Sequence, residues 1–395
     1  MKILHWEDAF HPRFGYDVNV LSKLQAGMGH EVVIFSCQNV ENVPYFHGIV
    51  GSDTLLADQE FSKKYNVKIV RLPNWGVISG RVIFKPGFIR KIKDEKPDIL
   101  ICHGNDTLSG ICITLCYQKI GCPVIFDSHM LEMASVNPFR KWFRFLYRTF
   151  VTPKIIENNL LVLRMQDDDY VTRCLGIPKE QSPFVSFGTD TSLFFPDSKV
   201  KCEFRQKNGI AQDDFVVIYA GKLDEGKGGK LLAEAFEKKL NVQKKLVLVV
   251  VGSTRGVYGE EVENIFKRSQ NRILRFPTQA YDHLAPFYQA ADLAVFPKQC
   301  SLSFYDVQAC GLPVILEDNS VNIERVSHEN GYTYEMDSVS DLRRKLEYCI
   351  NLEKKEFTDL QDNALNFIKR DYDYEAITEH LIYIYQDAIR KIEDI

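Results

Sequence analysis

Two kinds of apolar pattern alternate at the start of the chain. Residues 2–6 and 31–36 are short runs rich in apolar residues, which are typical of buried strands. Between them, Val18, Leu21 and Leu24 recur at the spacing of one helix face. The pattern predicts a strand, a helix and a second strand, which together form a βαβ unit.

The same alternation continues through the first half of the chain. Strands are predicted at residues 67–72, 99–102 and 124–127, and helices at residues 85–95 and 107–120. Strands that alternate with helices in this way favour a parallel, doubly wound sheet. In such a sheet the loops that follow the strands gather at one edge, where ligands bind.

Polar residues stand at this edge after three of the predicted strands. Gly15 lies in the loop after the first strand, where a missing side chain would let a phosphate or sugar approach the backbone or would only ease a turn. A lone histidine after a buried strand is more often a hydrogen-bonded structural residue than a ligand-binding one. The polar candidates at the three strand ends are Glu7, Asp8, His103, Asn105, His129 and Glu132.

The second half of the chain repeats the pattern. Strands are predicted at residues 215–220, 245–251, 272–276, 293–296 and 313–316, with a helix at residues 304–310. The loop before that helix holds Ser301, Leu302 and Ser303, whose backbone N–H groups could face an anion. Asp306, about one turn into the helix, could accept hydrogen bonds from two sugar hydroxyls or could only complement the helix dipole.

The loop after residues 215–220 nearly spells a phosphate-binding P-loop. It runs from Gly221 to Gly228 in the required strand-loop-helix setting. Gly228, however, stands where a P-loop needs a hydroxyl for Mg²⁺. A P-loop interpretation therefore fails, because the residue that would bind Mg²⁺ is missing.

Composition narrows the class of protein. A chain of 395 residues suits two domains, and 45% hydrophobic with 26% charged residues is ordinary for a globular protein. The net charge of -4 argues against wholesale nucleic-acid binding. The ten cysteines include no Cys-x-x-Cys pair, which favours reduced thiols over a metal site. No signal-peptide core and no bilayer-length apolar run is present, so we expect a cytoplasmic protein.

Residues 138–154, which begin at Pro138 and end at Lys154, combine cations with aromatic residues and contain no acid. We call them the basic aromatic segment. A helix of this kind can lie at an anionic membrane surface and bring an enzyme to a lipid-linked acceptor. The interpretation that we favour is a surface helix whose aromatic side chains pack on the sheet while its charges are solvated.

Several motifs give the chain a resemblance to a known family. The string that begins at Asp306, Asp-Val-Gln-Ala-Cys-Gly-Leu-Pro-Val-Ile, resembles the nucleotide-sugar motif of retaining glycosyltransferases of family four, the group 1 glycosyl transferases. The loop with Lys222 and Lys227 resembles the family's Gly-Arg-Leu-x-x-x-Lys-Gly signature, with Lys222 in the Arg position. Residues 185–195 and 324–331 resemble two further family segments, so the resemblance covers nearly the whole chain.

The resemblance implies roles for individual residues. Lys222 and Lys227 would grip the donor diphosphate and stabilise the charge that builds on the leaving group. Asp306 would bind the donor ribose, and His129 would face the donor sugar near the reacting carbon. The other donor-binding candidates are Gly15, Gly252, Phe276, Ser301, Leu302 and Ser303, and the acceptor-side candidates are Glu7, His103, Asn105 and Glu132.

We therefore expect an α/β protein of GT-B architecture, with two Rossmann-like domains whose parallel sheets face a central cleft. Residues 1–195 would form the acceptor-side domain and residues 208–373 the sugar-nucleotide domain. Residues 196–207 would link them, and a helix at about residues 374–392 would pack back on the first domain. The expected activity is retaining, metal-independent transfer from a nucleoside-diphosphate sugar to a glycan or lipid-linked acceptor, without a cofactor, in polysaccharide or cell-surface glycan biosynthesis.

Two other functions stay open. The family carries a Glu eight residues before the position of Asp306, where this chain has Lys298. That difference motivates a catalytically degenerate GT-B binding subunit, although the retention of both loop lysines weighs against it. A GT-B epimerase acting on the sugar nucleotide alone is the other alternative. Residues 167–169 resemble the Asp-x-Asp of metal-dependent glycosyltransferases, but their position favours helix capping, and we expect no metal.

Overall fold

The computed structural model describes residues 1–43, 53–78, 80–133, 137–298 and 300–393. The chain forms two compact units. The N-terminal unit comprises Met1–Phe187 and the chain from Glu375 onward, and the C-terminal unit comprises Gly188–Tyr374.

The N-terminal unit is built on a six-stranded parallel sheet with the strand order β3-β2-β1-β6-β7-β8. A separate antiparallel hairpin, β4-β5, lies outside it. The strands of this unit are β1 (Lys2–Glu7), β2 (Glu31–Cys37), β3 (Val67–Leu72), β4 (Asn74–Ile78), β5 (Arg81–Phe84), β6 (Ile99–His103), β7 (Val124–Ser128) and β8 (Leu161–Arg164).

Helices connect these strands. Buried apolar residues of the strands pack beneath them: Trp6 of β1, for example, is fully buried and meets Phe84 edge-on at 4.7 Å between ring centroids. The helices are α1 (Asp17–Gly27), α2 (Thr54–Tyr65), α3 (Phe88–Glu95), α4 (Leu108–Leu115), α5 (Arg140–Leu146) and α6 (Thr152–Glu157). Two π-helical turns are also present, at Tyr147–Val151 and Tyr170–Cys174.

The C-terminal unit has a second six-stranded parallel sheet, in the order β11-β10-β9-β12-β13-β14. Its strands are β9 (Phe215–Ala220), β10 (Leu246–Val251), β11 (Arg272–Phe276), β12 (Leu293–Phe296), β13 (Val314–Glu317) and β14 (Gly331–Tyr334). Its helices are α7 (Ser198–Lys207), α8 (Gly229–Ala235), α9 (Gly256–Lys267), α10 (Ala285–Ala290), α11 (Ser303–Ala309), α12 (Ser320–Arg325), α13 (Val339–Asn351) and α14 (Lys354–Asp371).

The expected linker at residues 196–207 is wrong. Residues Ser198–Lys207 are helix α7, and the Asp197 side chain caps it by accepting hydrogen bonds from the N–H groups of Lys199 and Val200 at 2.9 and 3.0 Å. Arg205 on this helix is 1% exposed and donates to the carboxylate of Asp292 at 2.7 Å and to three backbone carbonyls. The polar composition that suggested a linker belongs to a helix anchored by one buried cation.

A final helix, α15 (Tyr374–Glu393), belongs to the N-terminal unit from Glu375 onward. Leu381 and Tyr385 on this helix are 2% and 1% exposed. The N-terminal unit is therefore assembled from two separate stretches of chain.

Replacing Arg205 tests how α7 is held. Arg205→Ala should lower the free energy of unfolding by about 2–5 kcal/mol, because it leaves buried carbonyls and part of the Asp292 charge without a donor. Arg268→Ala, which removes an exposed pair with Glu237, should change it by less than about 1 kcal/mol. Urea unfolding of the full chain gives both values, and equal effects of the two substitutions would contradict the buried anchor.

Candidate functional site

The strand ends of the N-terminal sheet bring titratable side chains together. Glu7 at the end of β1 pairs in register with His103 of β6, which in turn pairs with Asp127 of β7. His129 follows β7, and Asp17 opens α1. Parallel strands in this register place their carboxyl ends at one edge, as predicted.

Asp17, His103, Asp127 and His129 are in mutual contact, and we call them the Asp-His cluster. Asp127 uses both oxygens: Oδ2 lies 2.6 Å from His103 Nδ1 and Oδ1 lies 3.1 Å from His129 Nε2. Asp17 Oδ2 lies 3.4 Å from His129 Nε2 and 3.6 Å from His103 Nδ1. The His129 side chain is 36% exposed, whereas the other three are almost fully buried.

The cluster stabilises charge in a buried setting. Burial alone would lower the pKa of His103, but the carboxylates of Asp127 and Asp17 outweigh it and raise that pKa to about 9. The same two carboxylates outweigh burial at His129 and raise its pKa well above the usual value. Burial opposes ionisation of Asp127, yet the two histidines hold its pKa well below its usual range.

The ligand atoms of the Asp-His cluster lie within 4.8 Å of one another, close enough for such side chains to be considered as metal ligands. Neighbouring ligands of a tetrahedral zinc ion stand about 3.3 Å apart. The contact of Asp127 with His103, at 2.6 Å, is a hydrogen bond, whereas the contacts of His129 with Asp127 and Asp17, at 3.1 and 3.4 Å, are close to that spacing. In the described contacts the four side chains form a network of ion pairs.

The predicted acceptor-side residues do not all meet here. Glu7 lies beside His103 and His129, and burial raises its pKa to about 7 against the attraction of His103. Asn105 is fully buried and donates to the Tyr147 hydroxyl at 3.0 Å. Glu132 pairs instead with Arg144 and Arg173. Gly15 lies two residues before Asp17, in the loop between β1 and α1.

The basic aromatic segment is helical, and one of its faces is exposed. Phe139 is 73% exposed, Trp142 68%, and Phe145 and Phe150 61% each. The inner side, which includes Tyr147, is buried. The packed alternative therefore fails for these four aromatic residues. A groove of about 590 Å³ beside them is lined by Glu132, Lys141, Arg144, Phe145, Arg148, Thr149, Arg173 and Cys174.

Within the described part of the chain, no helix combines the length and the apolar character needed to cross a membrane. The exposed aromatic face of the basic aromatic segment belongs to short helices, and cations stand among its apolar residues.

Three strand ends meet in the C-terminal unit. Gly252, after β10, donates its N–H to the carbonyl of Phe276 at 3.0 Å, and Gly221, after β9, donates to Val251 at 2.9 Å. A Cβ on Gly252 would lie 1.8 Å from the Gly221 carbonyl oxygen, and Gly252 has a φ of 149°. Only glycine fits this approach, so the predicted donor-binding residues Gly252 and Phe276 share one tightly packed backbone site.

The loop of Lys222 and Lys227 differs from a P-loop in its backbone. The N–H groups of Lys227, Gly228 and Gly229 donate to Asp224 and Glu225 within the same loop. These three N–H groups are therefore not free to bind an anion as those of a P-loop do. The lysine side chains are then the groups in this loop that would attract one. Burial lowers the pKa of Lys227, and the cations Arg325 and Lys222 lower it further against the opposing attraction of Asp224.

Arg325 was missed from the sequence. It is 6% exposed, its Nη1 donates to the Ser301 carbonyl at 3.0 Å, and its guanidinium lies over the rings of Phe304 and Tyr305. Its Nε and Nη2 are buried without a hydrogen-bond partner among the described residues. Arg325 thus anchors the loop of Ser301, Leu302 and Ser303, and its charge lowers the pKa of Lys227 in the loop of Lys222 and Lys227, which we call the lysine loop.

Asp306 is already bonded within the unit. Its Oδ1 accepts hydrogen bonds from Thr189 Oγ1 at 2.7 Å and from the Tyr281 hydroxyl at 3.3 Å. Burial raises the pKa of Asp306 to about 7, although both hydroxyls favour the charged form. A ribose would have to use Oδ2, which accepts no hydrogen bond from the described residues.

Lys298 stands close to the lysine loop. Its ammonium pairs with Asp337, and its side chain packs where a Cβ on Gly228 would lie, 3.0 Å from Lys298 Cγ. Gly228 has a φ of 72°, so its turn needs glycine for both conformation and space. Lys298 therefore supports the backbone of the loop.

Asp17, Asp127 and His5 were also missed as site residues. The spacing Asp127-x-His129 and the position of Asp17 just after the Gly15 loop were visible in the sequence. Their convergence depends on the register of β1, β6 and β7, which periodicity does not give.

The architecture defines the class of protein: an α/β chain with two Rossmann-like units of the GT-B fold. A glycosyltransferase from Rickettsia africae has the same fold, with a TM-score of 0.74 at 15% identity over 98% of both chains. The Anabaena protein HepE in complex with UDP matches with a TM-score of 0.74 at 16% identity, over 98% of this chain and 100% of that one. The predicted GT-B class is confirmed.

The family follows from the C-terminal unit. Residues 200–367 match the family described as glycosyl transferases group 1, so this unit is a domain of that family and the resemblance is confirmed. The D-inositol 3-phosphate glycosyltransferase 1 of Catenulispora acidiphila is 26% identical over 234 residues, 55% of this chain and 56% of that protein. The lipopolysaccharide 1,2-N-acetylglucosaminetransferase of Salmonella typhimurium is 31% identical over 107 residues, 25% of this chain and 28% of that protein. The chain spans about half the length of the inositol phosphate glycosyltransferases it matches.

The contact between Gly252 and Gly221 gives a direct test. Gly252→Ala should destabilise the chain by about 2–5 kcal/mol, because the new methyl group meets a carbonyl oxygen in a backbone conformation that alanine rarely adopts. Gly27→Ala, at the end of α1 with open space around it, should be neutral or slightly stabilising. Urea unfolding compares the two variants, and a neutral Gly252→Ala would rule out the close approach.

Proposed function

We propose that the protein is a retaining glycosyltransferase that moves a sugar from a nucleoside-diphosphate sugar to a glycan or lipid-linked acceptor, without a metal ion. The observation that carries the proposal is the grouping of Lys222, Lys227 and Arg325 beside a glycine-lined strand edge. Repulsion among these cations is relieved when an anion such as a diphosphate binds. The family of the C-terminal unit supports the same class of donor.

Two loop lysines fit the charge change of the reaction. The bond between the anomeric carbon and the donor phosphate oxygen breaks, and the acceptor oxygen forms its bond on the same face of the sugar. The acceptor proton passes to the leaving phosphate oxygen. Lys222 and Lys227 stabilise the negative charge that develops on that phosphate, so the reaction needs no metal cation there.

The remaining roles follow the same proposal. Asp306 binds the donor ribose through Oδ2, the backbone of Ser301, Leu302 and Ser303 lies near the phosphates, and Gly252 with Phe276 lies near the nucleobase. His129 faces the donor sugar. The ligands of the Anabaena structures, UDP and UDP-glucose, are the natural first probes.

Donor binding tests the lysine loop. Lys227→Ala should weaken UDP binding by about 10- to 100-fold, because one charge-assisted contact with the diphosphate is lost. The control is Lys230→Ala, which removes the next lysine on α8, an exposed residue paired with Glu261. Calorimetry with UDP and with uridine, in the presence of EDTA, measures the effect.

The binding experiment separates the proposed function from its alternatives. Equal UDP affinity in wild type and Lys227→Ala would contradict the role proposed for Lys227. Loss of wild-type UDP binding in EDTA would contradict the proposal that binding needs no metal ion. UDP-glucose binding without transfer to any acceptor would favour the degenerate binding subunit, and a changed sugar without acceptor would favour an epimerase.

We also propose that the basic aromatic segment docks on an anionic phospholipid surface at the cytoplasmic face of a membrane. Its exposed face offers Phe139, Trp142, Phe145 and Phe150 to the acyl boundary. Its cations complement lipid phosphates. A protein held there would meet a lipid-linked acceptor at the membrane surface.

Vesicle sedimentation tests this docking. The double variant Trp142→Ala/Phe145→Ala should bind phosphatidylglycerol-containing vesicles at least about tenfold more weakly, because two exposed aromatic side chains no longer bury apolar area. Trp75→Ala, which removes an equally exposed tryptophan from β4, should bind like wild type. Wild-type binding should weaken in high salt and in phosphatidylcholine alone. Wild-type protein that stays in the supernatant would contradict the proposal.

A further inference from the structure

A relay of hydrogen bonds leads into the Asp-His cluster from β1 and α1. His5 Nε2 lies 2.6 Å from Gln25 Oε1, and His5 Nδ1 lies 2.9 Å from His103 Nε2. All three side chains are buried. The relay therefore constrains which of the ring nitrogens carry protons.

The tautomers follow in order along the relay. Gln25 Oε1 is an acceptor, so His5 carries its proton on Nε2, and burial lowers the pKa of His5 to about 3, which keeps it neutral. The bare Nδ1 of His5 must then accept from His103 Nε2–H. The other nitrogen of His103 faces the carboxylate oxygens of Asp127 and Asp17 and must carry a proton too. His103 is an imidazolium.

The protonation state of His129 follows from the net charge of the Asp-His cluster. His129 Nε2 lies 3.1 Å from Asp127 Oδ1 and 3.4 Å from Asp17 Oδ2, which are ion-pair distances without hydrogen-bond geometry, and two carboxylates this close favour a proton on Nε2. Two carboxylates and one imidazolium would leave a net negative charge in a buried cluster, which is costly unless it is compensated. A second proton on His129 makes the cluster neutral.

We infer that Asp17 and Asp127 hold His129 as an imidazolium, so that both of its ring nitrogens carry protons and it does not act as a general base. His129 Nε2 is buried, whereas the side chain as a whole is 36% exposed. His129 would then recognise an oxygen acceptor or a developing negative charge on the donor. That part of the inference rests on the proposed function, whereas the charge state does not.

Asp17 becomes a positioning residue, since it acts through His129. The other titratable groups around the cluster are consistent with this assignment. Glu7 on β1 favours the charged form of His103. Burial raises the pKa of Tyr385 on α15, which therefore stays neutral beside both carboxylates.

Nitrogen-15 NMR of histidine-labelled protein tests the charge state directly. At about pH 8, where an ordinary histidine is neutral, wild-type His129 should show two protonated nitrogens, with its signal assigned by its absence in His129→Gln. An unprotonated ring nitrogen at that pH would overturn the inference. A change in the His129 signal on addition of Zn²⁺ would overturn it as well, because a ring nitrogen that binds a metal ion cannot keep its proton.

Asp17→Asn tests the cause. In this variant His129 should lose its second proton at lower pH than in wild type, and at about pH 8 UDP-glucose should bind about 10-fold more weakly while UDP is unaffected. Asp58→Asn, which alters a buried carboxylate on α2 that is paired with Arg71 of β3, should leave the His129 signal unchanged. If Asp17→Asn does not fold, the wild-type spectrum still determines the charge state of His129. Wild type that binds neither ligand would contradict the proposed function and leave the NMR result standing.

Discussion

Charge that is removed from water must be balanced by opposite charge nearby, and both units are built around this constraint. In the N-terminal unit two carboxylates face two imidazoles. In the C-terminal unit the buried Arg205 is matched by Asp292. In the same unit burial lowers the pKa of Lys227, and the cations Arg325 and Lys222 lower it further while Asp224 opposes them. A group of cations of this kind is where an anionic ligand has most to contribute.

The fold could be predicted to the extent that it depends on local pattern. Short runs rich in apolar or β-forming residues predicted five of the six strands of the C-terminal sheet. The sixth, β14, was missed because Gly331 and two tyrosines give a weak apolar signal. The hairpin β4-β5 was missed for a related reason, since its residues are mixed in character and half exposed. Helix α7 was read as a linker because its stability comes from the buried contact of Arg205, which no local pattern reveals.

The candidate site could be predicted only as far as backbone position determines it. His103 ends β6 and Asn105 lies two residues beyond it, yet His103 reaches the cluster while Asn105 bonds to Tyr147. The sequence places both at the sheet edge but does not give the direction of each side chain. The basic aromatic segment shows the same limit: its helical period was visible, but the face left uncovered depends on packing.

Tyr385 lies on α15 but is buried beside the carboxylates of Asp17 and Asp127. The ribosome makes residue 385 long after it has made those two. The first unit to emerge therefore cannot close its own interior until the whole second unit has been synthesised. The order of synthesis and the order of completion are therefore reversed in this chain, since the second unit is fully synthesised before the last helix of the first.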